Sequence, residues 1–290
     1  MQQTESGLYS SLLRLVFTLW ISGASLAIAG EHSNRLELSF GIVPQQSAQK
    51  LAALWQPVFD VIHLDTGYEV RFKTAPSIPE FEKRLAAAEY DVAYMNPYHF
   101  TVFNASPGYH AIAHAKDKSI KGIVVVRADS PIKTLADLEG QTLAFPAPAA
   151  FAASVLPRAS LAASHINIQA RYVQTHDSVY LTVARGIYAA GGGIQRTFKG
   201  MPEEIQNQLR VLWTTPGYTP HAIACRPTLP KDVCQTLQRS LVGLDSSPAG
   251  RTALQGLDII GFTAATDDEW DDVRALGIEQ LKHLQQESGQ

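Results

Sequence analysis

The segment that decides the fold is residues 91–99, which read DVAYMNPYH. Residues 91–95 are a short, mostly apolar run typical of a buried strand, and the run stops at a polar and aromatic turn. In open α/β sheets, ligands bind just beyond such strand ends. An ordinary helix start would explain Pro97, which suits the first helical position, but not four neighbouring hydrogen-bonding side chains. We expect at least two of these four to face a ligand: Tyr94, Asn96, Tyr98 and His99.

Strand and helix patterns alternate on both sides of this segment. Apolar residues recur every second position over 36–42 and 68–72, and at helical spacing over 48–62 and 79–88. A βαβαβ order predicts a parallel sheet. A second series follows, with strands predicted at 122–127, 142–145, 169–173, 211–214 and 218–225, and helices at 149–163, 177–185, 230–244, 248–255 and 267–285. The pattern predicts an α/β protein with two doubly wound sheets joined by two crossover strands, near 127–130 and 215–219.

The first 29 residues have the pattern of a secretory signal. Arg14 precedes an apolar run at 15–21, and residues 27–29 read AIA, the small-x-small pattern that signal peptidase recognises. An uncleaved membrane anchor is the alternative, but the run is shorter than the ~20 residues that a span needs. We therefore predict a periplasmic chain with residues 1–29 removed, a first lobe at 30–128, a second lobe at 129–216, and a return to the first lobe with C-terminal helices at 217–290.

Composition excludes several classes of function. The chain has 24 Lys and Arg against 27 Asp and Glu, a net charge of −3 and no basic cluster, which argues against a nucleic-acid partner. Cys225 and Cys234 could pair in an oxidising compartment or remain buried thiols, and the sequence leaves both open. Without a Cys-x-x-Cys pair or clustered histidines, no metal and no cofactor is predicted.

Motifs of catalysis are missing from the sequence. It contains no Gly-x-Ser-x-Gly, His-Glu-x-x-His or Gly-x-x-x-x-Gly-Lys pattern. Residues 191–193 are three glycines, but they lack the Gly-x-Gly-x-x-Gly spacing of a nucleotide loop, and we interpret them as a turn. These absences favour a binding protein over an enzyme.

Four segments together resemble a known family. They are FGIVP at 40–44, YDVAY at 90–94 with its turn, LADLEG at 135–140 and THDSV at 175–179. In this order they resemble the phosphate/phosphite/phosphonate-binding periplasmic proteins of ABC transporters. The resemblance implies a type II periplasmic-binding fold that closes over a small anionic ligand and delivers it to a transporter permease. We expect a monomer, since the core of each lobe needs no partner. A ligand-sensing adaptor for a membrane histidine kinase is the alternative, which the sequence does not separate from transport.

The resemblance also indicates where a ligand would bind. It places His176 at a ligand-contacting position, where an imidazole could donate to an oxyanion. In phosphonate binders a loop of serines and threonines opens a helix of the second lobe, whereas residues 145–154 here read FPAPAAFAAS. Backbone donors at the helix start remain, Phe151 adds an apolar surface, and Ser154 could face the cleft or bond within its helix. Where the family often has an aspartate this chain has Ala189, and where phosphonate binders can have a tyrosine it has Ile78.

Two further candidates complete the expected site. Gln45 follows the first strand, and His221 lies where the chain returns to the first lobe. Because hydroxyls and an acid are lost, we expect weak binding of phosphate, phosphite and methylphosphonate, and a preference for a larger, less charged or partly apolar ligand. The predicted ligand-binding residues are Gln45, Tyr94, Asn96, Tyr98, His99, Phe151, Ser154, His176 and His221.

Overall fold

Eleven strands in two sheets carry the part of the chain that the computed structural model describes, residues 36–281. The strands are β1 Glu37–Ile42, β2 Glu69–Lys73, β3 Val92–Met95, β4 His110–Ala115, β5 Gly122–Arg127, β6 Thr142–Phe145, β7 Gln169–Tyr172, β8 Ala190–Ile194, β9 Leu209–Thr214, β10 Ala222–Cys225 and β11 Phe262–Ala264. The first sheet has the order β11-β4-β10-β3-β1-β2, and the second has the order β7-β6-β8-β5-β9. The predicted α/β architecture with two sheets is confirmed.

Helices connect the strands and cover the sheets. They are α1 Ala48–Thr66, α2 Ile78–Ala86, α3 Pro97–Ala105, α4 Leu156–Ala163, α5 His176–Ala184, α6 Gln195–Lys199, α7 Glu203–Asn207, α8 Lys231–Gly243, α9 Pro248–Gly256 and α10 Asp271–Arg274. A π-helical turn, Phe151–Val155, leads directly into α4. Within residues 36–281, no helix combines the length and apolar character needed to span a membrane. The predicted signal segment lies outside the described residues.

The first sheet is held by an aromatic core that the helical periodicity of α1 directs inwards. Trp55 and Phe59 lie one turn apart on α1, and both rings contact Phe40 of β1, with ring centroids 5.6 and 5.1 Å away. All three side chains are almost fully buried. Removing each from water contributes roughly 1.5–3 kcal/mol, so this contact fixes α1 against the parallel strands β1, β2 and β3.

The carboxyl ends of the parallel strands meet at one edge of each sheet, and this positions the ligand-binding candidates. After β1 the chain reaches Gln45, and after β3 it reaches Asn96, whose side chain caps α3 by accepting from His99 N at 2.8 Å. In the second sheet, β7 is followed by Thr175, which caps α5, so His176 is the first residue of that helix. Polar side chains from separate segments therefore converge at the strand ends.

The chain passes between the sheets earlier than the sequence pattern indicates. Strand β5, which the sequence analysis assigns to the first lobe, pairs with β8 and β9 in the second sheet. The first crossing therefore lies between Ala115 and Gly122, and the return lies between Thr214 and Ala222. An isolated bridge between Ile120 and Tyr218 holds the two crossing segments together.

The three glycines at 191–193 form strand β8 rather than the expected turn. All three pair with β5 on one side, and Gly191 also pairs with β6 on the other. The absence of side chains lets the backbone of the π-helical turn lie directly on the sheet: a Cβ added to Gly192 would stand 2.0 Å from the Ala153 carbonyl oxygen, and one added to Gly122 would stand 2.0 Å from that of Ala152. Glycine here serves close packing, because any side chain would force the turn away.

Over residues 267–281, which are the described part of the helix predicted at 267–285, the structure differs from one long helix. A 3₁₀ turn at Asp267–Trp270 and the short α10 replace it. Gly277 then adopts a left-handed conformation with φ of 60°, which ends helical propagation.

Candidate functional site

The candidate site is a central cavity between the two lobes. Its volume is about 10 Å³, which is room for about one water molecule. Four of its lining residues are polar side chains from the predicted set, and the other lining residues are apolar. The lining residues are Val43, Gln45, Ile78, Asn96, Ile120, Ala150, Phe151, Ala152, Ala153, His176, Ile194 and His221.

Gln45 is the centre of a polar network across the lobes. Its Nε2 donates to Nε2 of His221 at 3.0 Å, and its Oε1 accepts from an Nη2 of Arg196 at 2.7 Å. Its backbone oxygen accepts from the backbone N–H of His176 at 3.0 Å. Gln45 is only 5% exposed. Both lobes therefore satisfy the hydrogen-bonding groups of one buried amide side chain.

Tyr94 and His221 form a stacked pair beside this network. Their ring centroids are 4.9 Å apart and their planes differ by 15°. The Arg196 guanidinium also lies over the Tyr94 ring, with its Cζ 5.8 Å from the ring centroid. A cation at this distance is attracted to the negative face of the ring. The arrangement holds Arg196, a residue that the sequence analysis did not select, at the edge of the cavity.

Both histidines of the cavity are held neutral. Burial, with a smaller effect from the charge of Arg196, lowers the pKa of His176 to about 3. Burial also lowers the pKa of His221 well below its usual value, and the charge of Arg196 adds to this. His176 Nδ1 lies 3.1 Å from the Thr197 hydroxyl. At neutral pH these imidazoles can donate or accept hydrogen bonds, but they bring no positive charge to a ligand.

Asn96 and Phe151 complete the lobe-to-lobe contacts around the cavity. Asn96 Nδ2 donates to the backbone oxygen of Ala149 at 3.3 Å. The Phe151 ring packs edge-on against Tyr218, with centroids 5.5 Å apart. Phe151 opens the π-helical turn, and the first N–H groups of a helix have no acceptor within it. The expected backbone donors therefore lie where residues 150–153 line the cavity.

Three predicted site residues lie elsewhere. Tyr98 points away from the cavity and its hydroxyl accepts from the backbone N–H of Leu281 at 2.9 Å. His99 is fully buried in the first lobe, where its Nε2 donates to Glu82 Oε1 at 2.9 Å. The directions of the Tyr98 and His99 side chains follow from the start of α3. Asn96 is the N-cap residue, so Tyr98 and His99 lie in the first helical turn, where consecutive side chains point to different sides. Ser154 is fully buried and lines neither the central cavity nor the larger cavity beside it, and its hydroxyl has no hydrogen-bond partner within its helix.

A larger side cavity adjoins the central one and shares Ile120, Ile194 and His221 with it. Its volume is about 260 Å³, slightly below the about 300–1,000 Å³ of most ligand pockets. Among its described lining residues one carboxylate, Asp258, stands against four cations, which are Lys118, Lys121, Arg196 and Lys199. The charge balance of this cavity suits an anion. Arg196 follows the end of β8 by two residues, and a cation just beyond a strand end is a candidate ligand contact. The sequence analysis did not select it because it interprets residues 191–193 as a turn and not as part of a strand.

The rim contacts show that the two lobes are closed on each other. Lys50 Nζ of α1 donates to the backbone oxygen of Gly200 at 2.7 Å and lies 3.9 Å from Asp177. Gln46 Nε2 donates to Asp177 Oδ1 at 3.3 Å. A ligand larger than water needs more room than the central cavity has, so we expect these contacts and the Gln45 network to separate when one enters.

Two lobes around a polar cleft define a ligand-binding protein of the type II periplasmic class. Residues 40–270 match the family described as "ABC transporter, phosphonate, periplasmic substrate-binding protein". The chain belongs to this family, which comprises the ligand-binding components of periplasmic transport systems rather than enzymes. The predicted family, fold and transport function are confirmed.

Solved structures agree on the fold. A binding-protein component of an ABC phosphonate transporter from Pseudomonas aeruginosa is 18% identical, with 88% of each chain covered and a TM-score of 0.76. PhnD1 from Prochlorococcus marinus, in complex with methylphosphonate, is 16% identical over 83% of this chain and 97% of that chain, with a TM-score of 0.76. XAC2383 from Xanthomonas citri, bound to ATP, is 17% identical over 82% of this chain and 98% of that chain, with a TM-score of 0.62.

Proposed function

We propose that this transport protein captures a singly charged organic anion, larger than methylphosphonate, with Arg196 as the main counter-charge. The observation that carries the proposal is the position of Arg196, which contacts Gln45 and Tyr94 between the two cavities. His176 and His221 are neutral at pH 7 and no charged residue in the described part of the chain lines the central cavity, so an anionic group placed there would depend mainly on Arg196 to offset its desolvation.

The shape of the two cavities supports a ligand with an apolar part. The anionic group would lie beside Arg196 and the first backbone N–H groups after Ala150, while the body would occupy the side cavity. Structures of this fold hold ligands as different as methylphosphonate in PhnD1 and ATP in XAC2383, so the fold itself sets no narrow size limit. Phe151, Tyr94 and His221 would contact the body of the ligand.

Export, assembly and hinge motion belong to the same proposal. We propose that residues 1–29 are removed on export, that the chain works as a monomer, and that the lobes hinge at residues 116–121 and 215–221. The two crossing segments are the only described connections between the sheets, which supports them as the hinge. Intact-mass measurement of the exported chain tests the cleavage.

Thermal-shift screening followed by calorimetry tests the ligand class. The chain from residue 30 is screened against phosphate, phosphite, methylphosphonate, larger phosphonates and short carboxylic acids. A ligand at a hundred times its Kd raises stability by ~2.7 kcal/mol, which such a screen detects. Arg196→Ala should abolish binding of the best organic anion, while Arg171→Ala, at an exposed position of the same lobe, should not. Micromolar binding of methylphosphonate would overturn the proposed preference.

A further inference from the structure

Three metal-ligating side chains converge at a place far from the cleft. His110, Cys225 and Cys234 each offer a ligand atom, and these atoms all lie within 4.8 Å of one another. His110 begins β4, Cys225 ends β10, and Cys234 lies in the first turn of α8. Cys225 and His110 are partners in the antiparallel register, so their side chains share one face of the sheet, and α8 brings Cys234 onto that face.

The cluster is buried on one side and open on the other. Cys225 and Cys234 are 0% and 3% exposed, whereas His110 is only partly buried. A cavity of about 210 Å³ adjoins them, with His110, Lys231, Cys234 and Gln238 among its lining residues. Solvent and an ion can therefore reach the cluster without any opening of the core.

We propose that His110, Cys225 and Cys234 bind a zinc ion, with the fourth coordination position facing this cavity. Two thiolates and an imidazole are a donor set that zinc prefers, and three protein ligands leave an exchangeable position for water. With bonds of roughly 2.3 Å to sulfur and 2.0 Å to nitrogen, tetrahedral ligands stand roughly 3.5–3.8 Å apart. Small side-chain rotations bring the three atoms to this spacing. Zinc with two thiolates is also neutral, which lowers the cost of burying it.

The sequence analysis predicts no metal because it relies on short motifs of cysteine and histidine. The two cysteines are separated by the turn between β10 and α8, and His110 arrives through strand pairing, so no short motif marks the set. A disulfide between the two cysteines is the competing chemistry in an oxidising compartment. It would leave the partly exposed His110 without a part in the site, whereas metal binding uses all three groups.

Metal content and thiol reactivity test the proposal on the full exported chain. After incubation with Zn²⁺ and dialysis, elemental analysis should give one zinc per chain, and two thiols should react after chelation and denaturation. His110→Gln and Cys234→Ser should each weaken zinc binding at least about 100-fold, since even groups that only orient metal ligands contribute about 10–100-fold. His114→Gln is the matched control, because His114 lies on the same strand and binds Glu269 instead.

Cobalt replacement gives a second measurement. Co²⁺ bound to the unchanged protein and to His114→Gln should show thiolate charge-transfer absorption. The His110→Gln variant should show a changed absorption spectrum, and Cys234→Ser should show a weaker absorption. Circular dichroism verifies that the variants fold. If a cysteine variant does not fold, His110→Gln still tests the site, because His110 is only partly buried and its replacement should leave the fold intact. Two results would overturn the site: a chain whose cysteines do not react and whose mass lacks two hydrogens, or zinc bound equally by all variants. Neither bears on Arg196 or the cleft.

Discussion

Arg196 of the second lobe donates to Gln45 of the first lobe across 2.7 Å, and the two residues line the side cavity and the central cavity respectively. The same guanidinium lies over Tyr94 and contributes to the neutral state of His176 and His221. One side chain therefore links closure with the charge of the site. Gln45 accepts from only one of the five guanidinium N–H donors, so others can serve an anion.

Removal of the Arg196 side chain should favour the open form. A hydrogen bond to a charged group contributes about 1.5–3 kcal/mol, so Arg196→Ala should shift the closed-to-open ratio by about tenfold or more. Lys50→Ala removes a rim contact of a partly exposed side chain and should change the ratio far less, since exposed ion pairs contribute about 0–1 kcal/mol. Small-angle scattering without ligand measures both. Equal scattering profiles for Arg196→Ala and the unchanged protein would contradict this role.

Substitutions at Tyr98 and His99 should lower stability without changing ligand affinity. Tyr98→Phe deletes the acceptor for the Leu281 N–H and should cost about 1 kcal/mol. His99→Ala leaves the Glu82 carboxylate buried without its partner and should cost about 3–5 kcal/mol. Denaturant unfolding gives the stability, and calorimetry with the best anion gives the affinity. A large loss of affinity in a folded Tyr98→Phe variant would return this residue to the site.

Acid should destabilise the protein through His176. Because its pKa is about 3 in the folded state and near 6.5 when unfolded, the unfolded chain binds more protons between these values, and stability falls as the pH drops through this window. From pH 8 to pH 5 the loss from this group is about 2 kcal/mol. His176→Asn should remove this part of the pH dependence, whereas His165→Asn, at an exposed site, should not. Urea unfolding at several pH values measures the difference.

Gly192→Ala should disrupt the second lobe. The new Cβ would stand 2.0 Å from a backbone oxygen and 2.7 Å from the Phe145 ring, and backbone cannot yield as a flexible side chain does. We expect a loss of at least about 3 kcal/mol, the upper end of overpacking costs. Gly243→Ala is the control, since no atom lies within 4 Å of its added Cβ, and this change should be neutral or slightly stabilising at the end of α8. Thermal unfolding of both variants decides.

The sequence predicts the elements of this fold well where the hydrophobic periodicity is strong. It predicts them poorly where a strand is defined by the strands it pairs with and not by its own residues. Helix α1 and strand β1 carry clear 3.6- and 2-residue patterns, and β3 is a short apolar run. The structure has these elements and α8 within a few residues of the expected bounds. Strands β4 and β11 were missed, since β4 reads HAIAHA, with alanine and histidine in place of strong strand formers, and β11 has three residues. The glycines of β8 resemble a turn in sequence. The backbone of the π-helical turn packs directly on this strand, so the strand has no room for the apolar side chains by which a strand is recognised in a sequence.

The site was predictable to the level of strand ends, but not of side-chain direction. Gln45, Tyr94, Asn96, Phe151, His176 and His221 all line the two cavities. Tyr98 and His99 did not join them because Asn96 and Pro97 set the first turn of α3, and that turn directs the next two side chains into the lobe. Arg196 depends on the course of β8, which no local pattern gave.

Restoration of a hydroxyl at the helix start should recover oxyanion binding. Ala150 lines the central cavity and occupies the N-cap position of the π-helical turn, with an extended backbone at φ −66° and ψ 97° and no capping side chain. In Ala150→Ser the hydroxyl can cap the helix and donate to a phosphonate oxygen. One added hydrogen bond of about 1 kcal/mol should tighten methylphosphonate binding by about fivefold.

Ala149→Ser is the matched control for this gain. It adds the same hydroxyl one residue earlier, at a buried position that does not line the cavity. Calorimetry with methylphosphonate should therefore separate the two variants, while thermal unfolding should show a gain of about 0.5–2 kcal/mol for Ala150→Ser from the new cap. A new cap without any gain in affinity would mean that the backbone N–H groups, and not missing hydroxyls, limit what this cleft binds.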